Sequence, residues 1–140
     1  MSGVLLDTSA WVEFLRATGS PTHRRARAAL AVGDAVTTDV VVLELLCGAS
    51  TAERAQDLRR ALDACHFLPQ EPRADVEAAG ALFRACRARG LTVRGANDCL
   101  VAAVALRADV PVLHRDRDFS AIAQVTDLRD AGEDLAAPPG

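Results

Sequence analysis

The sequence predicts a single α/β domain with a central parallel sheet of four to five short strands and helices on both faces. Short apolar runs alternate along the chain with longer segments of helical periodicity, an order typical of parallel sheets. The length of 140 residues is that of one ordinary domain, and 50% of the residues are hydrophobic. The chain is therefore long enough to bury a core without disulfides or a structural metal.

The first strand is predicted at residues 3–6 (GVLL), a buried apolar run that ends at Asp7. Thr8 or Ser9 is expected to cap the first helix, which stops near Gly19.

A second helix is predicted over residues 20–33, because a proline follows the capping serine and fits the first helical turn. Residues 35–37 (AVT) form the second predicted strand. Thr38 or Asp39 then caps a third helix, whose sequence VVVLELLCGA is strongly apolar.

The middle of the chain continues the alternation. Residues 50–53 (STAE) have the capping-box pattern and open a fourth helix that runs to about Ala64. Residues 66–68 are the third strand candidate. Residues 73–89 form an amphipathic helix, because apolar side chains recur at three- and four-residue spacing and Gly90 follows.

The last third completes the layers. Asn97 or Asp98 is expected to cap a helix, CLVAAVALRA, that is apolar nearly all round and is therefore central. Residues 110–114 (VPVLH) are predicted as a strand, and a short helix begins at Asp118. A final strand is predicted at residues 125–128.

Composition and charge exclude several classes of protein. A net charge of −3 argues against a protein held to DNA or a membrane by bulk positive charge. All 16 basic residues are arginine, which excludes lysine-dependent chemistry and the phospho-accepting receiver domain. No apolar run approaches the roughly 18 residues of a membrane span, and the start lacks a basic secretory signal, so we expect a cytoplasmic protein.

The cysteines do not suggest a zinc site. They lie at positions 47, 65, 86 and 99, and no two are in C-x-x-C spacing. Each lies beside apolar residues, which predicts buried free thiols in a reducing compartment.

Acidic residues fall where predicted strands end and helices start. Asp7 ends the first strand, Asp98 starts the central helix, and Asp116 and Asp118 follow the strand at 110–114. In α/β sheets, function lies at the carboxyl ends of the strands. Each acid alone is also explained as a helix cap or a solvated loop residue.

Glu44 is the only charge in VVVLELLCG. It is either the single solvated position of the third helix or a buried acid with a partner.

Together the acids indicate a metal site. Carboxylates gathered in one cleft repel one another and lose hydration, which a divalent cation would relieve. A set of carboxylates without histidine or cysteine fits Mg²⁺ or Mn²⁺ better than Zn²⁺. Such sites hydrolyse phosphodiesters. A mechanism that uses a pair of histidines as acid and base is disfavoured, because the three histidines, His23, His66 and His114, lie in unlike contexts.

Four blocks of the sequence resemble the PIN-domain family, and VapC-type toxins in particular. The blocks are LLDTSAWVEFL at the start, ELLCG around Glu44, ANDCLVAAVAL around Asp98 and VLHRDRDFSAI at Asp116. They occur in the family's order over residues 3–128. We assign residues 1–131 to a PIN-like nuclease domain and residues 132–140 to a flexible C-terminal tail.

The resemblance implies the toxin of a toxin–antitoxin pair, acting as a Mg²⁺- or Mn²⁺-dependent endoribonuclease on RNA. It implies four catalytic acids, Asp7, Glu44, Asp98 and Asp116. The implied metal ligands are Asp7, Asp98, Asp116 and Asp118. Glu44 would orient a metal or its water.

The resemblance also implies roles for neighbours and partners. Thr8 and Ser9 match hydroxyl residues that hold metal-bound water, whereas His114 has no counterpart and receives no role. The family forms homodimers, and a small antitoxin covers the acidic cleft. We expect no membrane association, and no direct DNA binding without the antitoxin.

Two other functions remain open from the sequence. A PIN nuclease that is not a toxin, and that matures or degrades RNA in a larger complex, would carry the same four blocks. A catalytically inactive PIN fold that only binds a partner is disfavoured by the intact acids.

Several surface features have two readings. Arginines at positions 24, 25 and 27 and at 84, 87, 89 and 94 either contact RNA phosphates or are solvated helix faces. Trp11 is expected in the core or a dimer interface rather than in base stacking. The helices around Glu44 and after Asp98 carry more apolar surface than one sheet face needs, which is either covered by a second copy or an antitoxin helix or simply buried in the core.

Overall fold

A four-stranded parallel sheet organises the chain. The computed structural model describes residues 2–131, and the predicted tail at 132–140 lies outside the described residues. The strands are β1 (Val4–Leu6), β2 (Ala35–Thr38), β3 (His66–Leu68) and β4 (Val112–Leu113), in the sheet order β3-β2-β1-β4. The helices are α1 (Thr8–Leu15), α2 (Pro21–Val32), α3 (Asp39–Gly48), α4 (Ala52–Asp63), α5 (Ala74–Ala88), α6 (Ala96–Ala108) and α7 (Arg117–Val125). The predicted α/β class is confirmed.

The central strands are covered on both faces. Leu5 of β1 pairs with Val36 of β2 on one side and with Val112 of β4 on the other. All four residues of β2 are buried, and alternate residues of a strand point to opposite faces. Helices α2 and α3 both contact β2. The sheet therefore has the two-sided helical cover that parallel strands need.

Gly3 allows the chain to enter β1 beside β2. Its φ is +118°, a conformation that glycine adopts without steric cost. A Cβ at this position would lie 2.8 Å from Val36 Cγ2 and 2.9 Å from the carbonyl oxygen of Asp34. The glycine thus sets the close approach of the two strands.

The helices that follow β1 and β4 are capped by the acids at the strand ends. Asp7 caps α1 by accepting from the Ser9 amide, and Asp116 caps α7 by accepting from the Asp118 amide. The predicted caps Thr8 or Ser9, and the predicted start at Asp118, are therefore one or two residues late, because aspartate is as good a capping acceptor as serine.

The cap predicted for α6 was also too late. Gly95 occupies the N-cap, so Asn97 and Asp98 lie in the first helical turn. There Asp98 is fixed by helical geometry instead of flanking the helix.

The predicted strand at 125–128 is wrong, because Val125 still belongs to α7. Thr126 then donates its hydroxyl to the Ile122 carbonyl at 2.8 Å, which holds this segment against the helix end. The chain pairs with β4 later, through a single parallel bridge at Asp130.

Helix α6 is the central helix, as predicted. Its buried residues are Cys99, Val101, Ala102, Ala103, Val104 and Ala105. Trp11 is fully buried and packs edge-on against Phe14 with ring centroids 6.0 Å apart, so it belongs to the core. Among the described helices, none is both long enough and apolar enough to cross a membrane.

Helix α3 leaves part of its apolar surface exposed. The side chain of Leu43 is 60% exposed, and Cys47, one turn further on, is exposed as well. The prediction of buried thiols is confirmed for Cys86 and Cys99 but is wrong for Cys47, and Cys65 is half-buried. The outer face of α3 is therefore available to a partner.

An ion pair between a buried carboxylate and a partly exposed arginine joins α5 and α6. The Arg107 guanidinium donates from Nε to Asp75 Oδ1 and from Nη2 to Asp75 Oδ2, both at 3.0 Å, and Asp75 is buried. The Glu71 amide also donates to Asp75, and Arg107 donates to the Pro69 carbonyl. Burial alone would raise the pKa of Asp75, but these hydrogen bonds and the charge of Arg107 lower it below its usual value.

We expect Arg107→Met to lower the free energy of unfolding by about 2–3 kcal/mol at pH 7, because it leaves a buried carboxylate without its cation. The lowered pKa of Asp75 in the folded state means that the pair stabilises above the unfolded pKa and that this is lost as pH falls. The difference between the two proteins should therefore shrink below about pH 4. Urea unfolding from pH 7 to pH 3 measures it.

Arg60→Met is the matched control, because Arg60 and its partner Asp57 are both 73% exposed. Its effect should stay within about 0.5 kcal/mol. Equal losses in the two variants would contradict the importance of burial in the Arg107 pair.

Candidate active site

The sheet order creates a cleft at the point where the order in which strands are added to the sheet reverses. The chain runs from β1 outward to β2 and β3, and β4 then pairs on the other side of β1. The carboxyl ends of β1 and β4 are neighbours at this switch point, where ligands bind in open parallel sheets. Asp7 directly follows β1, and Asp116 closely follows β4.

Asp7 is buried and rigidly held. Its Oδ2 accepts from the Ser9 amide at 3.0 Å and from the Ser9 hydroxyl at 2.7 Å. Its Oδ1 is buried and has no hydrogen-bond partner among the described residues. Burial raises the pKa of Asp7, and the hydrogen bonds from Ser9 oppose that rise only in part. Burying this oxygen without a hydrogen bond costs stability, and a bound cation would supply the missing partner.

Ser9 also joins the two loops of the cleft. While its hydroxyl donates to Asp7, its Oγ accepts from the Arg115 amide at 2.9 Å. Arg115 in turn forms an ion pair with Glu13 of α1. The segment after β1 and the segment after β4 are thereby fixed relative to one another.

His114 holds the backbone of the loop that carries Asp116. Its Nδ1 accepts from the Asp116 amide at 3.1 Å, and its Nε2 lies 2.7 Å from Asp130 Oδ2. Because Nδ1 accepts, Nε2 is the nitrogen that donates to Asp130. The ring packs on Phe119 with centroids 4.9 Å apart.

Three carboxylates converge at the cleft. Asp98, Asp116 and Asp118 each offer one oxygen, and these atoms all lie within 4.8 Å of one another. Asp118 is buried, and its Oδ2 accepts from the amides of Arg94 and Gly95, both at 3.0 Å. The loop that leads into α6 is therefore fastened to the start of α7.

The three acids carry unequal charge. Desolvation, a hydrogen bond with Asp118 and the charges of Asp7, Asp116 and Asp118 raise the pKa of Asp98 to about 8. Burial would also raise the pKa of Asp118, but hydrogen bonds from Asp98 and from two backbone amides, with the charge of Arg94, lower it. At neutral pH the metal-free cluster thus keeps a proton on Asp98, which it donates to Asp118.

Glu44 completes one wall of the same cleft. It is half-buried, and its Oε1 accepts from the Thr8 hydroxyl at 2.9 Å. Glu44 is therefore an acid with a partner and partial access to solvent, between the two alternatives read from the sequence. The cleft encloses about 590 Å³ and is lined by Glu44, Arg94, Gly95, Ala96, Asn97, Asp98, Asp116 and Asp118.

The predicted acids thus occupy one region at different depths. Asp98, Asp116 and Asp118 form the close group, and Glu44 lines the cleft that they share. Asp7 lies outside the close group but near enough for its charge to raise the pKa of Asp98.

The sequence groups Arg94 with the arginines of the preceding helix and does not predict its position at the acidic cluster. The Arg94 guanidinium instead lies 3.4 Å from Asp116 Oδ1 and 3.7 Å from Asp118 Oδ1. The signal was available, since Arg94 and Gly95 stand immediately before the ANDCL block.

The donor set fits a hard divalent cation. Three converging carboxylate oxygens and the orphaned Oδ1 of Asp7 are ligands that Mg²⁺ and Mn²⁺ prefer. No histidine or cysteine is among the residues that line the described cleft, which disfavours zinc.

Comparison with known proteins places this geometry in context. The PIN domain family matches residues 4–125. Ribonuclease VapC11 of Mycobacterium tuberculosis is 39% identical over 130 residues, which cover 91% of this chain and 97% of that protein.

Solved structures share the fold. A toxin–antitoxin complex from Klebsiella pneumoniae matches with a TM-score of 0.66 at 20% identity, covering 89% of this chain and 96% of that one. DNA-bound VapBC from Salmonella typhimurium matches with a TM-score of 0.70 at 14% identity, covering 93% and 97%.

We expect Asp98→Asn to stabilise the metal-free protein at pH 8 by about 1–2 kcal/mol. The raised pKa of Asp98 means that the folded state binds more protons than the unfolded state between about pH 4 and pH 8, so stability falls as pH rises through this window. The asparagine removes that loss and can still donate to Asp118. Thermal unfolding in EDTA at pH 5 and pH 8 measures the change.

Asp127→Asn, at an exposed acid, is the control and should leave the pH dependence unchanged. A larger stabilisation by Asp98→Asn at pH 5 than at pH 8 would contradict the raised pKa.

Proposed function

Because the chain belongs to the PIN-domain family, and within it to the VapC ribonucleases, we propose that it is the RNA-cleaving toxin of a toxin–antitoxin pair. The observation that carries the proposal is the convergence of Asp98, Asp116 and Asp118 within 4.8 Å at the switch point of the sheet. Such a group costs stability in an apo protein, which makes a purely structural role a poor explanation for it.

Asp7, Asp98, Asp116 and Asp118 are the proposed metal ligands, and Mg²⁺ or Mn²⁺ is the proposed ion. A divalent cation held there would lower the pKa of an attacking water and stabilise the charge on the phosphate. Asp98 must give up its proton when it becomes a ligand, so cation binding releases a proton near neutral pH.

The other residues orient these ligands. Ser9 fixes the Asp7 carboxylate through two hydrogen bonds, which keeps Oδ1 free for a ligand. Thr8 holds Glu44 at the cleft wall, where Glu44 can accept a proton from the attacking water. Catalytic roles are therefore proposed for Asp7, Glu44, Asp98 and Asp116.

The proposed reaction is hydrolysis of an RNA phosphodiester. Water adds to phosphorus, the P–O3′ bond breaks, and the leaving oxygen takes up a proton. The products carry a 5′-phosphate and a 3′-hydroxyl. The 2′-hydroxyl is not consumed, so no cyclic phosphate forms.

A protein partner is part of the proposal. On α3, which also carries Glu44, Leu43 is 60% exposed and Cys47, one turn further on, is exposed as well, so that the two form a small apolar patch. A small antitoxin that covers α3 would bury this patch and close the cleft at once. The similar Klebsiella structure is a toxin–antitoxin complex, which supports this partner class. We also propose that the chain forms a homodimer.

We expect the purified protein to cut total RNA into discrete fragments with 5′-phosphate ends when Mg²⁺ or Mn²⁺ is present, and to stop in EDTA. Asp7→Asn, Asp98→Asn and Asp116→Asn should each lower the cleavage rate by about 100-fold or more, because each removes a ligand. Ser9→Ala should lower the cleavage rate by about 10-fold, because Asp7 remains present but is oriented less well without the Ser9 hydroxyl. Gel analysis and end-group labelling measure both effects.

Asp127→Asn again serves as the control and should cut at the parent rate. Equal cleavage in EDTA, or fragments that end in a cyclic phosphate, would overturn the carboxylate–metal mechanism. Folded protein that binds the cation but cuts no RNA would favour a binding module instead.

A further inference from the structure

Arg94 lies at the mouth of the acidic cleft with a fixed backbone and a largely exposed side chain. Its amide donates to Asp118 Oδ2 at 3.0 Å, as does the amide of Gly95. Its side chain is 63% exposed and reaches Asp116 at 3.4 Å and Asp118 at 3.7 Å. The guanidinium can therefore move while its Cα stays in place.

The guanidinium uses carboxylates that belong to the proposed metal site. Asp116 and Asp118 are two of the three acids whose oxygens converge. A cation at these oxygens lowers the cost of holding them together, but a divalent ion needs the same atoms. The long contacts of an exposed arginine are weak, so a divalent ion would displace it readily.

Once displaced from the carboxylates, the Arg94 guanidinium could bind a phosphate group of a substrate in the cleft. Arginine binds phosphate oxygens through two parallel hydrogen bonds, better than lysine does. Arg94 is the basic residue among the described residues that line the cleft. Arg115, which directly precedes Asp116, pairs instead with Glu13, and Arg117 is not among the residues that line the cleft.

We propose that Arg94 is a phosphate-binding residue for the RNA backbone, and that the acidic cluster holds its guanidinium until a divalent cation takes its place. The inference rests on the proposed function, since it takes RNA as the substrate and the cluster as the metal site. RNA affinity would then depend on the divalent cation in two ways. The cation attracts the phosphate, and by displacing the Arg94 guanidinium it makes that group available to bind the phosphate.

The test separates metal affinity from RNA affinity. Mn²⁺ binding is measured by calorimetry on the otherwise unaltered chain, without RNA. Binding of a fluorescent RNA oligonucleotide is measured by anisotropy in the Glu44→Gln background, which keeps the three converging acids and slows cleavage. Each measurement compares Arg94→Ala and Arg94→Lys with the parent, with and without Mn²⁺.

Arg94→Ala should tighten Mn²⁺ binding by about three- to fivefold, because it removes a competing cation. It should weaken RNA binding in saturating Mn²⁺ by about tenfold, because a charged hydrogen-bond donor is lost. Without Mn²⁺ the loss should be smaller, because the parent's guanidinium is still held by the acids. Arg94→Lys should keep near-parental Mn²⁺ affinity and an intermediate RNA affinity.

Arg60→Ala is the control for the loss of one positive charge, since Arg60 pairs on the surface with Asp57. It should change neither affinity. Weaker binding of both Mn²⁺ and RNA by Arg94→Ala would mean that Arg94 merely supports the loop, and unchanged RNA binding would leave it a counter-ion alone. Either result overturns the inference and leaves the proposed function standing, whereas a parent that binds no Mn²⁺ overturns both.

Discussion

Repulsion among the carboxylates at the carboxyl edge of the sheet is the constraint to which the surrounding structure responds. The fold brings Asp7, Asp98, Asp116 and Asp118 to one switch point, where burial weakens the screening by water. Three of these carboxylates are each stabilised in a different way: Ser9 donates twice to Asp7, two amides donate to Asp118, and Asp98 keeps a proton to a pKa of about 8. These interactions do not offset the desolvation of Asp7 completely, because its Oδ1 atom is buried without a hydrogen-bond partner among the described residues.

The same side chains that relieve this repulsion also assemble the site from distant segments. Ser9 links the loop after β1 to the amide of Arg115, and Asp118 gathers the amides that precede α6. The same hydrogen bonds therefore offset the repulsion between the carboxylates and hold the loops in position. By contrast, the Asp75–Arg107 pair between α5 and α6 lies outside the cleft lining and stabilises the packing of those helices alone.

Much of the fold was predictable because the strands and the central helix follow hydrophobic pattern. The apolar runs before Asp7 and at 35–37 became β1 and β2, and the all-round apolar α6 is buried. The strand expected at 125–128 does not form, because Val125 ends α7, Thr126 hydrogen-bonds back to the Ile122 carbonyl, and the chain pairs with β4 only at Asp130. The grouping of Asp7, Asp116 and Asp118 could be predicted, since these acids follow two neighbouring parallel strands and therefore lie at the same edge of the sheet. Their order of depth and the position of Arg94 could not, because both depend on hydrogen bonds between segments far apart in sequence.

The Ser9–Arg115 hydrogen bond closes a loop of 106 residues, and that span has a consequence for synthesis. Ribosomes deliver the chain from its N-terminus, so Asp7 and Glu44 emerge long before Asp116 and Asp118 exist. Strand β1 meanwhile lacks β4, one of its two neighbours in the sheet. A nascent chain of this topology carries an incomplete set of acids until residue 118 has left the ribosome. Each copy of the chain is therefore unable to assemble its acidic cluster until that late stage of its own synthesis.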